Sequence, residues 1–305
     1  MYSIVIPVYN SSKSVATLVT KIEDVFTNQV RADFEIILVD DCSPNPNTWL
    51  TLSQLAFHHQ FVKAVQLTRN FGQQAATLCG FEYSQGDYII TMDDDLQHRP
   101  QDIPKLILHR NHDVVIAQMA NKRHSAFKRI TSKIKSWFDS VLIGKPRHIQ
   151  LSSFRLINRN IALGMLKIRT PKPFIPALMF YISKDIFGVE VEHDKRSEGK
   201  GNYTFWKMLS VFSNLLINNS SFLLRVLGLF GIVISLMSLA GAVYFIARKL
   251  LLDETPVGWT SVIVAVLFFG GILLFAVGII GEYLIRIISG TEQKPTYIVR
   301  TTMNI

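Results

Sequence analysis

Short apolar runs alternate with amphipathic stretches through the first 200 residues of this 305-residue chain. Ser3–Val8, Phe34–Val39, Val62–Leu67, Tyr88–Met92, Val114–Ala117, Phe154–Ile157 and Phe187–Glu192 are brief and rich in β-branched and aromatic residues, which predicts strands. Between the early ones, Val15, Leu18, Val19, Ile22 and Phe26 recur on one face at helical spacing, and Gln73–Tyr83 reads as a further helix. Strands alternating with helices predict an α/β domain over 1–203, built on a mostly parallel, Rossmann-like sheet with helices on both faces. No internal repeat or low-complexity linker interrupts the pattern.

Beyond residue 203 the pattern changes. Phe205, Trp206, Leu209, Phe212 and Leu216 form an apolar stripe, which predicts an interfacial amphipathic helix over 204–225. Val226–Ala247 and Thr260–Gly281 are 22 residues each without a charge. At 1.5 Å per residue each spans roughly 33 Å, enough for a bilayer's hydrocarbon core. Both carry small residues (Gly228, Gly231, Gly241; Gly270, Gly271, Gly278) that suit close helix packing and allow oligomerisation without setting a stoichiometry. Residues 282–305 remain as a tail. Orientation follows from the basic flanks. The intervening loop Arg248–Trp259 sets Arg248 and Lys249 against Asp253 and Glu254, whereas Lys207, Arg225, Arg286, Lys294 and Arg300 lie outside it. The positive-inside rule then puts both termini in the cytoplasm.

Composition refines this picture only in part. The net charge of +9 suits nucleic acid or anionic lipid, and the two apolar spans favour lipid over nucleic acid. A basic amphipathic stretch, Lys122–Leu142, fits either a lipid surface or a helix covering the sheet with a solvated face. A strand begins at Tyr2 with no basic region or cleavage site before it, unlike a secretory signal. Two cysteines, Cys42 and Cys79, are too few for a disulfide framework.

Candidate chemistry gathers where the strands end. Tyr9-Asn10 follows the first, Asp40-Asp41-Cys42-Ser43 the second, Thr68-Arg69-Asn70 the third, and Asp93-Asp94-Asp95 the fourth. In a parallel sheet all four fall on one carboxyl edge, where open α/β sheets hold ligands. Three adjacent carboxylates repel one another unless a cation neutralises them, and their hard oxygens suit Mg²⁺ or Mn²⁺. A solvated acidic turn is the plainer alternative for the triplet taken alone.

These motifs carry a resemblance. Ile4-Val5-Ile6-Pro7-Val8-Tyr9-Asn10, Val39-Asp40-Asp41-Cys42-Ser43, Arg69-Asn70-Phe71-Gly72-Gln73 and Asp93-Asp94-Asp95-Leu96-Gln97 stand in the order and spacing of family 2 (GT-A) glycosyltransferases. With Gly281-Glu282-Tyr283-Leu284 closing a second span, the chain resembles the polyisoprenyl-phosphate branch, among them bactoprenol glucosyltransferases and undecaprenyl-phosphate 4-deoxy-4-formamido-L-arabinose transferases. The resemblance implies inverting transfer of a sugar from a nucleotide-sugar donor, a UDP-sugar, to a polyisoprenyl phosphate at a bacterial inner membrane, for cell-envelope glycan modification. It implies that Asp93 and Asp95, with Gln97 beside them, hold the metal and donor diphosphate. Pro7, Tyr9, Asp40, Asp41 and Asp94 would surround the nucleotide. Arg155, Arg196 and Lys200 would meet the acceptor phosphate. Ser11, Cys42, His98-Arg99, Ser153 and Gly199–Tyr203 depart from the usual pattern, which weakens any transfer of sugar specificity.

Two other readings compete. A processive polysaccharide synthase would carry Q-x-x-R-W, and none of the four tryptophans follows an arginine. A non-catalytic membrane scaffold or flippase partner would have no need of the intact aspartates and Arg155.

Overall fold

The computed structural model describes residues 1–119, 146, 149–168, 170, 173–191, 233, 240, 258–291 and 294–305. The basic stretch 122–142, the interfacial stripe 204–225, Arg196 and Lys200 lie outside these residues, as does the first apolar segment 226–247 apart from Val233 and Ala240. Two compact units divide the chain: Met1–Asn202 with Gln293–Ile305, and Tyr203–Glu292.

The first unit is built on eight strands: β1 (Tyr2–Val8), β2 (Phe34–Asp40), β3 (Val62–Leu67), β4 (Tyr88–Thr91), β5 (Val114–Met119), β6 (Arg155–Asn158), β7 (Ile186–Val191) and β8 (Val299–Met303). They lie in the order β7-β5-β6-β4-β1-β2-β3-β8. β1 pairs in parallel with β2 and β4, β2 with β3, and β5 with β7. Only β6, wedged between β4 and β5, and β8, on the β3 edge, run the other way. This is the expected α/β domain with a mostly parallel sheet.

Alternation along the strands sends side chains to two separate cores. Tyr2, Ile4, Ile6 and Val8 of β1 pack with α1 (Ser12–Val25), α2 (Pro46–His58) and α4 (Ile103–Ile107) on one face. Val5, Ile37 and Val39 meet α3 (Gln73–Glu82), α5 (Arg159–Lys167) and α6 (Ile175–Ile182) on the other. α1 buries Val15, Leu18, Val19, Ile22 and Val25, the apolar stripe its sequence prescribes. A π-helical turn, Phe26–Val30, follows it and is closed by Arg31 in the left-handed region.

The carboxyl-terminal segment differs from the expected tail. Residues 299–303 form β8, antiparallel to β3 from Ala64↔Met303 to Leu67↔Val299. Three short polar-flanked β-formers could not be told from a tail without knowing that the β3 edge awaits a partner.

In the second unit, α7 (Trp259–Thr291) is one helix of 33 residues, about 50 Å long, and so runs past Gly281 before Pro295. Val262, Val266, Phe268, Leu273 and Val277 are exposed along it. No membrane span is established among the described residues.

Candidate active site

The chain steps from β1 through β2 to β3 and then returns to β4 on the opposite side of β1. The carboxyl ends of β1 and β4 therefore part at a topological switch point. Their pairing stops at Val5↔Thr91, with one further bond from the Met92 N–H to the Val5 carbonyl at 3.1 Å. Pro7 is the next β1 residue on that side, and its missing N–H falls where β4 has already turned away. A central strand tolerates this proline for that reason. Two residues on, the Tyr9 N–H donates to Asp94 Oδ2 at 3.1 Å, so a carboxylate takes the place of the lost ladder. The resulting open cleft of about 360 Å³ is walled by Pro7–Tyr9, Asp41, Asn70, Gly72, Gln73 and Asp93–Asp95.

The three adjacent carboxylates have different surroundings. Asp93 accepts from Gln73 Nε2 at 2.5 Å and from Ser153 Oγ at 2.6 Å, which holds both of its oxygens. Its backbone N–H donates to His98 Nδ1 at 3.1 Å, and the His98 ring stacks on Phe154 with centroids 5.3 Å apart. Burial pushes the Asp94 pKa up to about 6 against bonds from Ser11 and the Tyr9 N–H that lower it, and the neighbouring charges of Asp93 and Asp95 add to the rise. Asp95 accepts the Gln97 N–H at 3.1 Å across a tight turn in which Leu96 takes φ 61°. A branched side chain in the left-handed region costs energy, so the turn that presents Asp95 is held under strain.

At the end of β2 the two aspartates diverge. Asp41 faces the cleft and accepts the Phe71 N–H at 2.7 Å and the Gly72 N–H at 2.9 Å, thereby anchoring the loop that enters α3. Burial raises its pKa against these two bonds, with Asp40 adding to the rise. Asp40 is fully buried and does not reach the cleft. Its Oδ1 accepts from the Ser43 N–H and Oγ at 3.0 and 2.6 Å, and its Oδ2 accepts from Gln66 Nε2 at 3.0 Å. Asp40, expected beside the nucleotide, thus spends its carboxylate on Ser43 and Gln66 and shapes the strand end. Cys42 and Asn10, at φ 55° and 59°, turn the chain sharply just past β2 and β1.

Arg155, on β6 opposite Thr91, is 4% exposed, and its Nε and Nη1 have no hydrogen-bond partner. Burial brings its pKa down to about 10, with the Asp93 charge working against the drop. A buried guanidinium with idle donors is costly unless an anion reaches it. Arg155 is near enough to feel the Asp93 charge, whereas Arg196 and Lys200 fall outside the described residues.

Among the described residues no group of three or more His, Cys, Asp or Glu side chains is disposed to hold a metal by itself. The donor set fits a hard cation that takes one or two carboxylates here and its remaining ligands from a bound diphosphate and water, as Mg²⁺ commonly does. Gln97, expected beside the metal, contributes its backbone N–H to the turn.

Asn70, read from the sequence as a polar strand-end residue, lines the cleft, whereas Gln73 and Ser153 were not singled out as cleft residues. Gln73 closes the Arg69–Gln73 motif three residues beyond Asn70, where α3 begins. Ser153 shows its contact with Asp93 only once β6 is placed beside β4.

A family profile described as "Glycosyl transferase family 2" matches residues 3–187. An undecaprenyl-phosphate 4-deoxy-4-formamido-L-arabinose transferase of Pectobacterium carotovorum subsp. carotovorum (strain PC1) is 32% identical over 306 residues, covering 99% of this chain and 93% of that one. The enzyme of the same name from Pseudomonas paraeruginosa (strain DSM 24068 / PA7) is 34% identical, with 98% and 89% covered. Glucosyl-3-phosphoglycerate synthase from Mycobacterium tuberculosis, crystallised with Mn²⁺, uridine-diphosphate and glucosyl-3-phosphoglycerate, shares the fold at a TM-score of 0.50 and 14% identity, over 70% of this chain and 75% of that one.

Proposed function

We propose that this chain, which belongs to glycosyltransferase family 2, transfers a sugar from a uridine-diphosphate donor to a polyisoprenyl phosphate such as undecaprenyl phosphate. The observation that carries the reading is the meeting of three carboxylates at the β1/β4 switch point with a buried Arg155 whose Nε and Nη1 have no partner and which feels the Asp93 charge. Full-length likeness to enzymes named for undecaprenyl phosphate supports the acceptor class.

In this reading Asp93 and Asp95 are the carboxylates that hold a divalent cation against the donor diphosphate. The cation, when bound, neutralises charge developing on the leaving group. Pro7 and Tyr9 border the nucleotide, and Asp41 keeps lone pairs in the cleft for a base N–H while it anchors Phe71 and Gly72. An acceptor phosphate oxygen attacks the anomeric carbon, the carbon–oxygen bond to the diphosphate breaks, and UDP leaves with inversion. A phosphate monoester is already anionic near neutral pH, so no strong general base is needed. Arg155 binds and orients that phosphate through its idle donors, with Arg196 and Lys200 as further expected cations. Purified full-length protein, undecaprenyl phosphate and a panel of UDP-sugars with Mg²⁺ or Mn²⁺ form the test. Release of UDP with a lipid-linked sugar is expected; release of UDP without any lipid product, or no turnover with any donor, would refute the reading.

Arg155→Ala is expected to raise the acceptor KM or lower kcat by about tenfold to a hundredfold, the range for a lost charge-assisted hydrogen bond. Nucleotide affinity should change little, and Arg155→Lys should recover part of the loss. Normal acceptor kinetics with collapsed UDP binding would remove Arg155 from the acceptor site.

The same reading puts the enzyme in the membrane. Residues 226–247 and 260–281 cross it, with an interfacial helix over 204–225 before them and both termini cytoplasmic. Support for the second crossing is the unbroken 33-residue helix α7, uncharged from Thr260 to Gly281. With Cys42 and Cys79 replaced, a cysteine at Thr255 should label from outside intact cells and one at Thr301 should not. The reverse pattern would overturn this topology.

A further inference from the structure

β8 is joined to the wall of the cleft by more than its ladder with β3. The register between the two strands shifts at Gln66/Leu67, where β3 ends and the loop to α3 begins. Such irregularities re-aim the chain beside functional sites. Three contacts then converge on Thr68. Its N–H donates to the Ile298 carbonyl at 2.9 Å, and its carbonyl accepts from Arg300 Nη2 at 2.9 Å and from Cys42 Sγ at 3.7 Å. From Thr68 the loop runs through Arg69, whose guanidinium lies 4.6 Å over the Phe71 ring, to Asn70 and Gly72 in the cleft wall. Its far end is fixed by the Phe71 and Gly72 N–H groups on Asp41. The loop is thus clamped twice: by Asp41 from inside the site, and by the carboxyl-terminal strand from outside it.

We propose that Arg300, acting with the β8 backbone through Thr68, is a positioning residue of the donor site. It holds the 68–72 loop in the shape that Asn70 and Gly72 present to the nucleotide. The inference rests on the donor reading of the cleft and goes beyond it, because Arg300 touches neither substrate nor cation. It also gives the end of the chain a task.

Asn304 provides the control. Its Nδ2 donates to the carbonyls of Gln60 and Val62 at 2.9 and 2.8 Å, at the other end of the same strand, away from Thr68. In full-length protein in nanodiscs, amide exchange across residues 66–73 and the separate KM values for donor and acceptor are measured for Arg300→Ala, Arg300→Lys and Asn304→Ala. Arg300→Ala should speed exchange in the loop and raise the donor KM, each about tenfold, as expected for losing a hydrogen bond to a charged group. The acceptor KM should stay within about twofold, and Arg300→Lys should restore much of the loss, since an ammonium still donates to a carbonyl. Asn304→Ala should lower the melting temperature and leave the donor KM alone. Wild-type exchange or donor KM in Arg300→Ala would overturn the proposal. So would an equal rise in donor KM in Asn304→Ala, which would mean general loosening of the strand. Failure of UDP to slow exchange in the wild-type loop would instead fault the donor reading, with the Arg300→Ala exchange difference still deciding whether β8 holds the loop.

Discussion

Asp95→Asn is expected to lower sugar transfer on the order of 10³-fold, equivalent to several kcal/mol of lost transition-state stabilisation. The substitution keeps size and shape, so the loss reports the removed charge rather than a collapsed turn. Asp95 accepts the Gln97 N–H, and an amide oxygen can accept it equally well, so the melting temperature should stay close to wild type. Asp93→Asn should behave differently. Both Asp93 oxygens are met by donors, Gln73 Nε2 and Ser153 Oγ. An amide NH₂ would set donor against donor on one side, so this variant should lose both activity and some thermal stability. Initial rates and melting curves for the two variants separate a charge effect from a positional one. Full activity of Asp95→Asn, or of wild-type enzyme in excess chelator, would exclude cation-assisted departure of the diphosphate.

The strands, the parallel core of the sheet and the polar edge could be read from residues alone because each depends on local signals. Short apolar, β-branched runs mark β1–β4, a 3.6-residue period marks α1, and carboxylates at strand ends fall on one side once the strands are parallel. What escaped depends on which strands become neighbours. Asp40 and Asp41 are adjacent carboxylates in the sequence, and only the register Asp40↔Gln66 shows that one is consumed inside the fold while the other meets the cleft. Ser153 reaches Asp93 because β6 enters the sheet antiparallel between β4 and β5, a placement no local pattern announces. β8 escaped for a similar reason. Its short run of Val, Thr and Met has strand propensity, but its partner lies more than 230 residues away.

Lys63→Ala is expected to destabilise the protein by about 3–5 kcal/mol, the cost of stranding one member of a buried ion pair. Glu35 and Lys63, 3% and 8% exposed, lie on β2 and β3 with Nζ 2.7 Å from Oε2, a pair held by charge without the angular fit of a hydrogen bond. Oε1 of Glu35 accepts from Ser3 Oγ and the Gln85 N–H, both at 2.6 Å, and Ser3 Oγ accepts the Gly86 N–H at 2.8 Å. The carboxylate therefore ties β1, β2 and β3 to the turn before β4. Burial pushes the Glu35 pKa up, but Lys63, Ser3 and the Gln85 N–H outweigh it and leave it below the ordinary value of 4.5. A depressed folded-state pKa contributes stability above the unfolded value, and that contribution is lost as pH falls through the folded one. Without Lys63 the burial effect should win and raise the pKa, which reverses the sign: the variant should lose stability as pH rises through the carboxylate range. The gap in melting temperature between wild type and Lys63→Ala should thus widen from about pH 4 to about pH 7. Glu35→Gln combined with Lys63→Met should recover most of the loss, since the amide oxygen still accepts from Ser3 and Gln85 while no charge remains buried. A gap independent of pH, or a double variant no better than Lys63→Ala, would show that Lys63 stabilises the sheet by packing rather than by charge.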